Sequence, residues 1–270
     1  MPERKPRLEG KVAIVTGAGS SGPGIGTGRA TSVLFAREGA RVLLVDRVAE
    51  HAEETLVAIR AEGGEASVFE ADVTNPADCQ GMVETVRSRY GRLDILVNNV
   101  GIVGPGSVTD VKEEDWDRVL AINLKSMMLT SKYAIPEMIE GGGGAIVNLS
   151  SIAGLRAGSG GASISYAVSK GGVIALTTQM AVHHGRDNIR VNCIAPGHIY
   201  TPMVAAVMTE EMRDLRRRAG PLGTEGTAWD IAWAAVFLAS DEARWITGVV
   251  LPVDAGLLAT TPLAMLRHLR

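Results

Sequence analysis

The sequence predicts a doubly wound α/β fold, in which seven parallel strands form one sheet with helices on both faces. Seven short aliphatic runs recur along the chain, and amphipathic stretches of helical length separate them. Strands buried on both faces have such continuous apolar runs, and regular strand–helix alternation is typical of a parallel sheet. The runs are 12–15, 41–45, 66–69, 93–97, 145–149, 189–194 and 248–251, and the helical stretches are about 26–38, 49–62, 76–90, 113–139, 166–184 and 226–240.

The composition favours one large domain over residues 1–270, because the chain is 46% hydrophobic and 21% charged. A net charge of −3 argues against a nucleic-acid partner. No apolar run is long enough to span a membrane, and the polar N-terminus has no signal-peptide core, so we expect a cytoplasmic protein. The 2 cysteines lie far apart and no zinc pattern occurs, so no metal site is predicted.

The first strand leads into a glycine-rich turn, Thr16 to Gly26, in which Gly17, Gly19 and Gly22 satisfy G-x-G-x-x-G. Such a turn, opening a helix, lets main-chain N–H groups approach a pyrophosphate, and the helix N-terminus adds positive potential. The pattern alone is weak, and a tight turn without a ligand is the alternative.

Asp46 strengthens the dinucleotide interpretation, because it ends the second strand 20 residues after Gly26 (46 − 26 = 20). A carboxylate at this position accepts hydrogen bonds from the adenosine ribose and repels a 2′-phosphate, so NAD is favoured over NADP. The neighbouring Arg47 could contact such a phosphate, stack on adenine or be solvated.

Tyr166 and Lys170 are four residues apart, so in a helix they lie one turn apart on the same face. An ammonium about 4 Å from a phenol, at an effective dielectric of 20, favours the phenolate by roughly 4 kcal/mol, or about three pK units. That would bring the pKa of Tyr166 close to the working pH of a general acid or base. Taken alone, an exposed pair without chemistry is the simpler explanation.

Further motifs follow the strands in order. Asp72-Val73 follows the third strand, Asn98-Asn99-Val100-Gly101 the fourth and Asn148-Leu149-Ser150-Ser151 the fifth, Asn123 lies in the long helical stretch, and Pro196-Gly197-His198-Ile199-Tyr200-Thr201 follows the sixth. Together with the glycine turn and Tyr166-x-x-x-Lys170, these motifs resemble the large branch of the short-chain dehydrogenase/reductase family over nearly the whole chain. The resemblance implies a Rossmann-like fold and a nicotinamide cofactor.

The resemblance also implies roles at a catalytic site. Ser151 would hold the substrate oxygen and Tyr166 would move the proton. Lys170 would lower the pKa of Tyr166 and bind the nicotinamide ribose, and Asn123 would fix a water molecule that connects Lys170 to solvent. Taken alone, Ser151 could instead cap the turn after its strand, and Asn123 could be a satisfied polar group of the core.

The cofactor contacts implied by the resemblance extend from the glycine turn to the loop after the sixth strand. They are Gly17, Ser20, Ser21, Gly24, Ile25, Asp46, Arg47, Asp72, Val73, Asn99, Gly101, Tyr166, Lys170, Pro196, Gly197, Ile199 and Thr201. His198, in the last of these loops, could face the substrate.

Two lengths depart from the family pattern. Three extra residues separate Gly17 from Gly24-Ile25-Gly26, and we expect Ser20-Ser21-Gly22-Pro23 to bulge outward and leave the helix start at Gly24. The segment from Ser151 to Tyr166 is about two residues longer than usual, and Gly158-Ser159-Gly160-Gly161 can loop out.

These observations predict an NAD-dependent oxidoreductase that interconverts a secondary alcohol and a ketone. An NADPH-dependent reductase of the ketoacyl type and a non-catalytic dinucleotide-binding sensor or scaffold are the alternatives. Residues 201–223, with Met203, Val204, Val207, Met208 and Met212, are expected to form a substrate lid or an ordinary surface helix, and the arginines of 213–218 a solvated face. The apolar tail 257–270 could pack on another subunit, and the resemblance implies a homotetramer.

Overall fold

A computed structural model describes residues 5–20, 22, 24–157, 163–205 and 208–269. It confirms the predicted fold class: seven parallel strands form one sheet, in the order β3-β2-β1-β4-β5-β6-β9. Its strands are β1 (Val12–Thr16), β2 (Arg41–Asp46), β3 (Ala66–Glu70), β4 (Ile95–Asn98), β5 (Gly144–Leu149), β6 (Ile189–Pro196) and β9 (Val250–Val253), and a separate two-residue pair joins β7 (Ile199–Tyr200) to β8 (Gly226–Thr227).

Helices cover both faces of the sheet. They are α1 (Thr27–Arg37), α2 (Ala49–Ala61), α3 (Pro76–Tyr90), α4 (Glu113–Leu120), α5 (Ser126–Glu140), α6 (Ile164–His184), α7 (Pro202–Ala205), α8 (Glu210–Ala219), α9 (Ala228–Ala239) and α10 (Pro262–Leu269). In the described part of the chain, no helix is both long and apolar enough to cross a membrane.

The core consists of two apolar layers, one on each face of the sheet. Val15 of β1 belongs to the layer with Phe35 of α1 and Ile231 of α9, whereas Ile14 belongs to the opposite layer with Met138 of α5. Alternate residues of a strand point to opposite faces, so a strand covered on both sides must be apolar at every position. This is why the aliphatic runs in the sequence located the strands.

The predicted long helix over 113–139 is interrupted. A π-helical turn, Ala121–Lys125, separates α4 from α5. At its centre, the buried side chain of Asn123 accepts a hydrogen bond from the main-chain N–H of Ile102 (2.8 Å) and donates one to the Ile102 carbonyl (2.9 Å). A tertiary contact therefore accompanies the widened turn, as is common for π-bulges at functional sites.

The C-terminal third contributes the smaller elements. The predicted lid consists of α7 and α8, where Met203 and Met212 are exposed, and Val207 lies outside the described residues. The tail packs on its own chain: Arg218 of α8 donates to the His268 carbonyl (3.4 Å), and Arg156 donates to the Thr260 carbonyl (3.0 Å). Leu263 remains exposed, and the expectation that the tail could pack on another subunit stays a prediction.

Candidate active site

The candidate residues meet at the carboxyl edge of the sheet, where the strand order reverses between β1 and β4. Ligands of doubly wound sheets bind in the crevice at such a switch point. Asn99, directly after β4, contacts the glycine turn and the start of α1. Its side-chain amide donates to the carbonyls of Thr16 and Gly17 (both 3.1 Å) and accepts from the Thr27 hydroxyl (2.6 Å). Its side chain therefore holds the glycine turn in place.

The glycine turn begins the first helix later than the sequence predicted. Gly26 is the N-cap and Thr27 the first residue of α1, so the expected start at Gly24 is wrong. The close packing occurs at Gly28, where a Cβ atom would lie 1.8 Å from the Gly17 carbonyl oxygen. Gly26 and Gly28, rather than Gly24 and Gly26, are therefore the glycines at the start of the helix.

The rest of the turn is fixed by short local contacts. Ser20 is buried, and its hydroxyl donates to the carbonyls of Gly22 (3.4 Å) and Gly24 (3.3 Å). The exposed Ile25 side chain and Gly24 precede the helix, and a Cβ atom on Gly24 would lie 3.5 Å from Pro202 of α7. Ser21 and Pro23 lie outside the described residues, as does the Gly158–Gly161 stretch that was expected to loop out.

Asp46 lies against the glycine turn. Its Oδ2 accepts the main-chain N–H of Gly19 (2.9 Å) and its Oδ1 that of Val48 (3.1 Å). A Cβ atom on Gly19 would lie 2.4 Å from the Cβ of His51, so only glycine fits here. Each carboxylate oxygen has a second lone pair, and Asp46 can therefore still accept hydrogen bonds from ribose hydroxyls.

The residues predicted near adenine follow β3. Asp72 accepts from the Thr74 hydroxyl (2.7 Å) and main-chain N–H (2.9 Å), and these bonds, with the nearby charge of Arg47, lower the pKa of Asp72. The side chain of Val73 is buried in the core and its carbonyl accepts from the Cys79 thiol (3.2 Å). Only the main-chain N–H of Val73 is thus left to reach a ligand.

Ser151 and Tyr166 are brought together as predicted. Ser151 lies beside the Tyr166 phenol, and the interaction between their side chains acts to lower the pKa of Tyr166. Ser151 also accepts from the main-chain N–H of Ala153 (3.2 Å), so it caps the turn after β5 as well as facing Tyr166. The structure thus shows Ser151 as a cap beside Tyr166, and its role toward a substrate oxygen stays a prediction.

Lys170 is buried one helical turn after Tyr166. Its Nζ donates to the Leu149 carbonyl (2.8 Å) and lies 5.7 Å from the centroid of the Tyr166 ring. A Cβ atom on Gly101 would lie 3.1 Å from this Nζ, which explains a glycine after β4 at this position. The ammonium thus lies under the phenol, between the ends of β4 and β5.

The protonation of the pair differs from the expectation. Burial raises the pKa of Tyr166 above its ordinary value of 10, and the hydrogen bond from Ser151 offsets this only in part. Burial also lowers the pKa of Lys170 to about 8. The prediction that Lys170 brings the pKa of Tyr166 close to pH 7 is therefore wrong for this structure, because desolvation by burial is the largest effect on this phenol.

Asn123 is connected to the pair through Ser169, a residue that sequence reasoning missed. The Asn123 amide donates to the Ser169 hydroxyl (3.0 Å), which donates to the Tyr166 carbonyl (2.7 Å). With its bonds to Ile102, both amide hydrogens of Asn123 are used, so its side-chain nitrogen has no donor left for a water molecule. The remaining hydrogen-bonding capacity of its side chain is the second lone pair of Oδ1.

Other residues that position the site were also missed. The Ser150 hydroxyl donates to the Lys170 carbonyl (2.7 Å), and a Cβ atom on Gly154 would lie 2.6 Å from the main chain of Lys170. Ser163 caps α6 by accepting from the Tyr166 N–H (3.2 Å). A serine directly before an apolar helix is an N-cap pattern, so Ser163 could have been found from the sequence.

The loop after β6 forms another wall. Gly197 donates to the Val253 carbonyl (2.9 Å), and a Cβ atom on it would lie 2.6 Å from Asp254. The N–H of Ile199 turns back onto the Gly197 carbonyl (2.9 Å), and the Thr201 carbonyl starts α7. Pro196 ends β6, paired with Val253.

This crevice fits the elongated cofactor that the fold implies. A carboxylate stands at one end, a turn too close-packed for a Cβ at Gly19 and Gly28 lies in the middle, and a buried ammonium stands at the other end beside Gly101. Sheet and site together define a Rossmann-like protein with the side chains of an oxidoreductase.

Comparisons with known proteins identify the family of this chain. A family described as enoyl-(acyl carrier protein) reductase matches residues 22–258. The 3-oxoacyl-[acyl-carrier-protein] reductase of Thermotoga maritima is 40% identical over 252 residues, covering 93% of this chain and 99% of that protein. A short-chain dehydrogenase/reductase structure from Burkholderia xenovorans is 44% identical with a TM-score of 0.90, covering 94% of this chain and 99% of that one.

A third comparison shows a related protein with ligands bound. A 7α-hydroxysteroid dehydrogenase in complex with NADH and 7-oxo glycochenodeoxycholic acid is 36% identical with a TM-score of 0.87, covering 93% of this chain and 96% of that one. The chain belongs to the short-chain dehydrogenase/reductase family, whose members are oxidoreductases that bind a nicotinamide dinucleotide.

Proposed function

We propose that this protein is an NAD(H)-dependent oxidoreductase that interconverts a secondary alcohol and a ketone. The observation that carries the proposal is the contact between the Ser151 and Tyr166 hydroxyls, with the Lys170 ammonium buried beside them. Two hydroxyls in contact can share one substrate oxygen, and one of them can exchange a proton with it. The nicotinamide ring, when bound, supplies or accepts the hydride.

Each side chain has a separate task in this proposal. Ser151 donates a hydrogen bond that orients and polarises the substrate carbonyl. Tyr166 gives its proton to the same oxygen as negative charge develops on it. Lys170, with a pKa of about 8, is mostly protonated at pH 7 and stabilises the phenolate that Tyr166 becomes.

The raised pKa of Tyr166 bears on which direction of the reaction, carbonyl reduction or alcohol oxidation, is favoured. A phenol with a pKa above 10 is protonated at neutral pH, so the resting site holds a general acid. It is therefore ready to reduce a ketone, whereas oxidation of an alcohol needs the phenolate. We infer that carbonyl reduction is favoured at neutral pH and that alcohol oxidation gains as the pH rises.

The preference for NAD rests on Asp46. A 2′-phosphate on the adenosine ribose would approach this carboxylate at the end of β2, and like charges repel. A related protein binds NADH, which supports the proposal. The alternative is an NADPH-dependent 3-ketoacyl-type reductase, which the 40% identical 3-oxoacyl-[acyl-carrier-protein] reductase favours.

Initial rates distinguish these alternatives. Cyclic and aryl secondary alcohols are offered with NAD and with NADP, and the reduced cofactor is followed by its absorbance. We expect NAD to be preferred by about tenfold or more, which corresponds to roughly 1.4 kcal/mol. Asp46→Asn should narrow this preference, whereas Glu70→Gln, which removes an exposed carboxylate paired in register on the neighbouring strand, should not.

The outcomes are distinct. A preference for NADP in the unmodified protein would overturn the role of Asp46 and favour the ketoacyl alternative. Binding of either cofactor without turnover of any alcohol or ketone would favour the non-catalytic sensor or scaffold.

We further propose that α7 and α8 cover the substrate and that the chain forms a homotetramer. Met203 and Met212 are exposed on these helices, as an apolar lid requires.

The proposed assembly is supported by exposed apolar surface. Trp233 of α9 and Val249 before β9 expose apolar surface at the edge of the sheet. Sedimentation equilibrium of the full chain tests the assembly, and a purely monomeric mass would contradict it.

A further inference from the structure

A second cavity lies beside the loop that follows β6. It has a volume of about 150 Å³ and lies between this loop, α8, the start of α9 and the chain after β9. Its charged and polar lining comes from His198, Arg216, Glu225, Asp230 and Asp254. Ser151, Tyr166 and Lys170 do not line it, whereas His198 and Ile199 do, so the cavity shares the loop after β6 with the candidate cofactor site.

Arg216 is the unusual cation of this cavity. Arg216 is half-buried, and its guanidinium donates long hydrogen bonds to the Ile199 carbonyl (3.4 Å) and the Met208 sulfur (3.8 Å). No carboxylate lies within 4.0 Å of it among the residues that the structure describes, whereas Arg213 and Arg217 on the same helix are ion-paired. The charge of Glu225 acts on Arg216 from a greater distance, so among the described residues the guanidinium has a nearby carboxylate but no ion pair within 4.0 Å.

His198 lies next to this arginine with one ring nitrogen unused. Its Nδ1 is buried and has no hydrogen-bond partner within the described ranges. The main chain of Arg216 lies beside the ring, and with the proton of the imidazole on Nε2 the Nδ1 atom can accept a hydrogen bond. Burial and the charge of Arg216 lower the pKa of His198, and the imidazole is therefore neutral at pH 7. Its Nδ1 is then an acceptor that lacks a donor.

The three carboxylates of the cavity already accept hydrogen bonds from neighbouring groups of the chain. Glu225 is paired with Arg213 (2.6 Å), Asp230 caps α9 by accepting from the N–H of Thr227 (2.7 Å), and Asp254 accepts from the N–H groups of Gly256 and Leu258. These bonds satisfy the acidic groups locally. Within the described residues, Arg216 has no ion pair within 4.0 Å and Nδ1 of His198 has no hydrogen-bond partner.

We propose that this cavity binds a small oxoanion that carries a proton, namely inorganic phosphate in its hydrogenphosphate form. Its charged oxygens would accept from the Arg216 guanidinium, and its hydroxyl would donate to Nδ1 of His198. Guanidinium and phosphate form strong, charge-assisted hydrogen bonds. The volume corresponds to roughly five water molecules, which suits a tetrahedral anion of five heavy atoms.

The proton on the ligand distinguishes this site from a simple positive patch. Phosphate carries a proton at pH 8 and can donate to a neutral His198, whereas sulfate carries none. Sulfate can use both groups only when His198 is itself protonated and donates from Nδ1. The site should therefore discriminate two anions of similar size and geometry, and the discrimination should depend on pH.

Calorimetric titration of the full chain at constant ionic strength tests this. We expect phosphate to bind about tenfold more tightly than sulfate at pH 8, with the ratio of the two affinities becoming smaller as the pH is lowered and His198 gains its proton. Arg216→Gln should weaken phosphate binding by about tenfold or more. The matched variant Arg217→Gln, on the next residue of α8, should leave it unchanged.

Three results would overturn the proposal. One is equal affinity for phosphate and sulfate at pH 8 in the unmodified protein, a comparison that needs no variant to fold. Another is phosphate binding that survives Arg216→Gln in a variant with unchanged circular dichroism, which would place the anion elsewhere, such as at the glycine turn. The third is the absence of measurable binding at millimolar phosphate.

Discussion

Gly28 allows the most direct test of how the first helix meets the glycine turn. In Gly28→Ala, the new Cβ atom would lie 1.8 Å from the Gly17 carbonyl oxygen and 2.7 Å from the Asn99 amide nitrogen. Non-bonded heavy atoms prefer about 3.5 Å, so α1 or the turn must move by roughly 1.5 Å. Overpacking of this kind costs about 1–3 kcal/mol of stability.

The same movement should damage nucleotide binding. The turn and the first N–H groups of α1 must hold their positions to bind a pyrophosphate. In an active site, a displacement of about 1 Å can lower the reaction rate on the order of 100-fold. We expect Gly28→Ala to weaken NAD binding by at least about tenfold in a fluorescence titration, and to lower the urea midpoint.

Gly26→Ala is the matched control. Its Cβ atom would lie 3.6 Å from its nearest neighbours, the Gly19 carbonyl and the Ser20 hydroxyl, which is ordinary contact. We expect this variant to bind NAD nearly as the unmodified protein does. If Gly26→Ala were the more damaging of the two, the assignment of Gly28 to the close approach would be refuted.

Two further predictions concern protonation and the buried polar groups. Because the pKa of Lys170 is lowered to about 8, its charge is lost above that pH, and kcat/KM for ketone reduction should fall about tenfold per pH unit beyond it; a flat profile to pH 10 would contradict this. Thr177→Val leaves the buried Asn148 amide, which donates to the Thr177 hydroxyl (2.9 Å), without that acceptor, and should cost about 1–3 kcal/mol in urea unfolding. Thr178→Val, at an exposed neighbour on the same helix, should change stability by less than about 0.5 kcal/mol, and equal losses in the two variants would show that the buried bond is not the cause.

The sheet was predictable because burial on both faces leaves a direct trace in the sequence. Each run of Val, Ile and Leu became a strand within a few residues. Of the two sheet strands that contain a proline, β6 carries it at its last residue and β9 lies at the edge of the sheet, where proline is tolerated. Tyr166 and Lys170 were predictable for a similar reason, since their spacing fixes their shared helix face.

The glycine turn was harder, because two overlapping Gly-x-Gly patterns, at 24–26 and 26–28, are equivalent in the sequence. Only the approach of Gly28 to the Gly17 carbonyl decides between them. The π-helical turn at Asn123 was hidden for a related reason. Nothing in 113–139 except Pro136 interrupts a helical pattern, and the cause of the widened turn is a contact with Ile102, far away in sequence.

The pKa of Tyr166 shows a further limit of reasoning from spacing. The spacing places the Lys170 ammonium one helical turn from the phenol, and the expected pKa followed from a separation of about 4 Å between the two groups and a surface-like dielectric. In the structure, Nζ lies 5.7 Å from the ring centroid and is held by the Leu149 carbonyl, while both groups are desolvated. Burial depends on the whole fold, so spacing alone gave the wrong direction for this pKa.

The central claim, that the Tyr166 hydroxyl exchanges the proton with the substrate oxygen, is tested most directly by Tyr166→Phe. Turnover of the best alcohol or ketone and NAD affinity are measured together, with Tyr133→Phe as the control on another helix. We expect Tyr166→Phe to lose on the order of 10²- to 10⁴-fold in kcat while NAD affinity and the fold are retained. Turnover at the rate of the unmodified protein would contradict the account.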